Sequence, residues 1–98
     1  MNRFTQSGTL IRNCVALNRH GIAFLLTDLD LGMVFARIAA RSSKDADKRR
    51  RNQRHARVAY DAVRRLSGRM FLTGAEAPEI ASRLQRLRSA LEQLGEIV

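Results

Sequence analysis

Lys48-Arg49-Arg50-Arg51-Asn52-Gln53-Arg54-His55-Ala56-Arg57 places six positive charges in ten residues. Guanidinium groups fork onto phosphates and carboxylates, so the chemistry open to such a run is recognition of anions. Arg49, Arg50, Arg51, Arg54 and Arg57 are the candidate contacts to a polyanion or an acidic partner. Asn52, Gln53 and His55 could add polar contacts to bases, although no spacing rule selects them. Charge runs on helices commonly form nothing more than a solvated face. No zinc-finger spacing and no aromatic-bearing RNA-binding signature accompanies this one, which places nucleic acid second among the partner classes.

Other chemistries find less support. His20, His55 and Cys14 are too far apart in sequence to share a helix turn, so they make a poor metal set. Asp28 and Asp30 form a carboxylate pair that a helix start explains equally well. The glycines are scattered and build no phosphate-cradling loop. With no nucleophile beside a base and no cofactor fingerprint, the expectation is a non-enzymatic protein without a cofactor.

The bulk composition bounds the scaffold that carries these arginines. Ninety-eight residues suit one domain, and an apolar share of 45% is enough for a core. With four Phe, one Tyr, no Trp and a single Pro, that core must be aliphatic, a palette that favours helices. The net charge is +9 and sits unevenly: residues 48–69 hold nine Arg or Lys against one acid, whereas residues 70–98 are close to neutral. Such a field draws polyanions or acidic proteins. The lone Cys14 excludes an internal disulfide framework and fits a reducing compartment. No apolar run is long enough to span a membrane, and Arg12, Asn13, Asn18, Arg19 and His20 break up any signal-peptide core. A cytoplasmic protein is the resulting expectation.

Three helices are expected to position the charges. Residues 1–26 read as an irregular, partly ordered arm, with a turn at Asn18-Arg19-His20-Gly21, and residues 27–98 as the helical domain. Thr27 is a candidate N-cap, with Asp30 three residues on, for a mostly buried helix over 28–41. Ser42 or Ser43 caps a second helix over 44–67, closed by Gly68. Its apolar side carries Ala56, Ala59, Val63, Leu66 and Met70, with Tyr60 at the edge. Its front half continues that stripe only as Arg49, Asn52 and Gln53, so it is expected to project past the core into solvent. Met70-Phe71-Leu72 reads as a connector, and Pro78 as the first position of a third helix. Ile80, Leu84, Leu87, Leu91, Leu94 and Val98 then form a 4-3-4-3-4 seam. The candidate helix-packing or partner seam is Tyr60 with Leu84, Leu87, Leu91 and Leu94. Packing of the third helix on the other two is favoured over an external partner.

Ala56-Arg57-Val58-Ala59-Tyr60-Asp61-Ala62-Val63 resembles the second helix of helical hairpins in tetratricopeptide-repeat and microtubule-interacting-and-trafficking domains. Ala56, Tyr60 and Val63 match a small residue, an aromatic four later and an aliphatic three beyond it. The small residue lets a first helix come close, and the aromatic fills the gap. The resemblance covers the second half of one helix and implies only a scaffold that binds peptides or helices. The expectation is therefore an all-α protein, a three-helix bundle or a hairpin plus C-terminal helix. Its leading function is binding to an acidic protein or to a second copy of itself, and its alternative is accessory nucleic-acid binding.

Overall fold

The helix expected over 28–41 is the C-terminal part of a much longer one. The computed structural model describes residues 3–69, 74 and 76–98, with side chains from residue 21 onward. Helix α1 runs Arg3–Arg41, α2 Ala46–Ser67 and α3 Glu76–Gln93, packed as an all-α three-helix bundle. Two expectations are corrected here. Thr27 does not begin a helix, and the backbone from Arg3 to residue 26 is helical rather than irregular. The boundary between 26 and 27 thus falls inside α1, and Ile22 and Leu25, upstream of it, belong to the core.

The reason lies in spacing. Ile22, Leu25, Leu29, Gly32, Ala36 and Ala39 recur at intervals of three and four, so one face of α1 stays against the bundle past Thr27. A capping side chain matters only where the chain leaves the helix. The interior glycines Gly21 and Gly32 cost about 1 kcal/mol each relative to alanine, which core packing offsets.

A four-residue connection, Ser42–Asp45, joins α1 to α2 and forces them antiparallel. Ser42 does not cap α2; its hydroxyl donates to the Ile38 carbonyl at 2.6 Å. Asp45 caps instead, with Oδ1 accepting from the Lys48 amide at 3.0 Å. Because the connection is short, the first turns of α2 must lie on the last turns of α1. The front half of α2 therefore does not project into solvent. Asn52 is buried, its Nδ2 donating to the Lys48 carbonyl at 2.8 Å, and the rings of His55 and Phe35 lie 5.1 Å apart.

Small residues set how closely the helices pack. Gly32 is buried, and a Cβ added there would meet Leu87 Cδ2 at 2.7 Å and the Ala59 Cβ at 3.1 Å. Ala36, Ala39, Ala56 and Ala59 continue the close approach of α1 to α2. Tyr60 and Val63 of α2 then meet Ile22, Leu25 and Leu29 of α1 and Ile80, Leu87 and Leu91 of α3 in one cluster. Each large aliphatic side chain enclosed there contributes about 1.5–3 kcal/mol.

Helix α3 runs parallel to α1 across the bundle. Pro78 occupies its third position rather than its first, still within the turn whose amides need no helical acceptor. Gly95, at φ +94°, ends it, and the Glu96 amide donates back to the Leu91 carbonyl at 3.0 Å. Gly68, by contrast, closes α2 in the right-handed region, so nothing there requires glycine. The Met70-Phe71-Leu72 connector lies outside the described residues.

Candidate interaction surface

Successive residues on a helix are about 100° apart, so a run of arginines cannot share one face. Arg50 turns outward and binds Asp47, Nη2 to Oδ1 at 2.7 Å, with both groups exposed. Arg57 grips the Asp61 carboxylate at 3.1 Å and donates through Nη1 to the Ile97 carbonyl at 2.8 Å. These two guanidiniums are engaged within the chain. Arg49, Arg51 and Arg54 form no ion pair among the described residues.

Those three diverge. Arg51 and Arg54 face solvent on the outer side of α2, where Lys48 and Arg65 extend the same stripe past an exposed Val58. Arg49 turns inward and is half-buried, reaching toward α1 and α3. The structure thus divides the five candidate arginines into an engaged pair, an outer pair and one that belongs to a different surface.

The hydrophobic candidates are occupied by the fold itself. Tyr60, Leu87 and Leu91 are buried, and Leu84 and Leu94 pack against the same cluster from its edge. Tyr60, Leu84, Leu87 and Leu91 hold the helices together, and only Leu94, at the end of the seam, also borders an open surface.

A different surface, part apolar and part charged, is open. Between α1 and α3 runs a groove of three adjoining depressions, about 340, 390 and 360 Å³ in volume, all lined by Met33. Ala36 and Ala40 of α1 and Ala90 and Leu94 of α3 line the stretch toward the C-terminal ends of the two helices. Arg37 and Arg86 stand on its walls and Arg49 closes one end. None of these three arginines is ion-paired among the described residues. At the other end Arg83 bridges Asp30 at 3.0 Å and Glu79 at 2.8 Å.

Sequence reasoning did not assemble this groove. Arg37 of α1 and Arg86 of α3 come to one depression only because the two helices lie parallel.

Burial raises the Asp28 carboxyl above its ordinary value, through loss of water on the face of α1 that nears the core. Asp28 has no place in the groove. Among the described residues no three His, Cys, Asp or Glu side chains gather where a metal could be held, and no helix is long and apolar enough to cross a membrane. The side chains of Cys14 and His20 lie outside the described residues.

Comparison with known protein families, with characterised proteins and with solved structures found no match to this chain.

Proposed function

We propose that this protein is a non-enzymatic interaction module for an acidic protein partner. The observation that carries the reading is the joining of Arg37, Arg49 and Arg86, none ion-paired among the described residues, to an open groove whose Arg49 end is lined by Met33, Ala40, Ala90 and Leu94 and whose other end is largely polar. A surface that only kept the protein soluble would need the charges but not the groove. Apolar contact supplies binding free energy, and the charges select the sign of the partner and speed encounter. Self-association is the weaker form of the reading. Two copies each bearing +9 repel, and the leucine seam that would pair them is already used inside the bundle.

Accessory nucleic-acid binding has its own supporting observation, the outer stripe of Lys48, Arg51, Arg54 and Arg65 on α2. Beside that stripe stand Val58 and the exposed imidazole of His55, a small stacking surface with no groove next to it. Affinity capture from native lysate, with and without nuclease, separates the two readings. Acidic proteins retained equally in both samples support the module. Loss of all retained protein on nuclease treatment overturns it.

A further inference from the structure

We infer that the groove between α1 and α3 receives an acidic amphipathic helix of a partner protein, running antiparallel to both walls. This rests on the acidic-partner reading and adds where the partner sits and in what form. Backbone polarity sets the form of the occupant. Both walls are helices whose amides and carbonyls are satisfied within themselves, so the groove offers no strand edge to pair with. A segment laid over Met33, Ala36, Ala40 and Ala90 must satisfy its own backbone hydrogen bonds, which a helix does and an extended peptide does not.

Size agrees with this. From Asp30 to Ala40 the wall formed by α1 rises about 15 Å, the length of roughly three helical turns. The alanines keep the lining shallow, so the occupant brings the bulky side chains and the groove brings the space. A helix seated there would make the fourth member of a bundle whose other three run up, down and up.

Charge and the occupant's own dipole together set the direction. Arg37, Arg86 and Arg49 occupy the middle of the groove and the end near Leu94, whereas Arg83 is outnumbered by Asp30 and Glu79 at the opposite end. An antiparallel occupant begins at the Arg49 end. Acidic residues in its first turns meet the guanidiniums and also suit its own dipole. Basic residues in its last turns meet Asp30 and Glu79 with the same double advantage. A parallel occupant with that charge order would set each end against its like charge.

The test uses the full chain and a fluorescein-labelled synthetic helix of about 14 residues, roughly four turns. Its leucines lie on one face, with Glu on the flanks of its first half and Lys on those of its second; a second peptide reverses the charge order. Anisotropy titration is expected to give binding of the Glu-first peptide roughly tenfold tighter than the Lys-first peptide. Arg37→Glu with Arg86→Glu should weaken it by about tenfold or more, whereas Arg51→Glu with Arg54→Glu on the outer face should change it by less than about twofold. Ala40→Trp, at an exposed position in the groove, should block it with helicity by circular dichroism retained. Equal binding of the two peptides, or no effect of Ala40→Trp, overturns the inference. Loss of binding through Arg51 and Arg54 instead moves the acidic partner to another surface and overturns the groove alone. Failure of both peptides, while acidic proteins are still captured from nuclease-treated lysate, also removes the groove and spares the broader reading. If that capture fails as well, both fall.

Discussion

Gly32 is the residue on which the closeness of the bundle depends. Alanine there would gain about 1 kcal/mol of intrinsic helix propensity. Its Cβ, however, would meet Leu87 Cδ2 at 2.7 Å, and Leu87 is fully enclosed and has no free direction in which to move. Overpacking of this kind costs about 1–3 kcal/mol, so Gly32→Ala is expected to lower the thermal midpoint. Trimming the obstacle in a Gly32→Ala, Leu87→Ala pair should cost less than the sum of the two single changes. Asp28 gives a prediction of opposite sign. Its carboxyl holds a proton more readily in the folded chain than in the unfolded one, so stability falls as pH rises through the window just above the ordinary carboxylate range. Asp28→Asn removes that penalty. Melts of the two proteins should show the variant ahead at about pH 7 and the difference vanishing below the carboxylate range.

At the scale of elements, the N-terminal part of α1 decides what counts as the folding unit. Ile22 and Leu25 are buried beside Tyr60 and Val63, so deleting residues 1–26 removes two core side chains and exposes what they cover. Each contributes about 1.5–3 kcal/mol, and urea titration of the truncated chain should show a large loss of stability or no cooperative transition. An unchanged transition would mean that α1 is dispensable upstream of Thr27. Much of this architecture was legible. α2 and α3 announce themselves by apolar periodicity and the 4-3-4-3-4 seam, and the structure places both within a few residues of expectation. α1 was cut short because Thr27, Asp28 and Asp30 mimic a helix start. Cap residues score the local chain, whereas the continuation to Ile22 is decided by side chains of α2 and α3. The seating of the front of α2 was missed for a related reason. Its polar residues, Arg49, Asn52 and Gln53, look solvated in sequence, and only the short connection at Ser42–Asp45 dictates that they lie against α1.

For the whole molecule, charge and shape must be read together. The arginine run that dominates the sequence is dispersed by helical geometry into engaged, outward and inward side chains. The basic groove was illegible because its members come from three helices and lie up to some fifty residues apart: Arg37 from α1, Arg49 from α2 and Arg86 from α3. What the sequence did carry was the excess of cations over acids, which no arrangement of nine carboxylates could neutralise. That excess attracts any anion at low salt, so discrimination between partner classes appears only when exposed charges are screened. The most direct test is therefore a paired anisotropy titration at about 150 mM salt, with labelled mixed-sequence duplex DNA in one arm and the Glu-first amphipathic peptide in the other. The account predicts saturable peptide binding and DNA binding that has largely disappeared. Tight DNA binding at that salt, with no binding of the peptide, would contradict it.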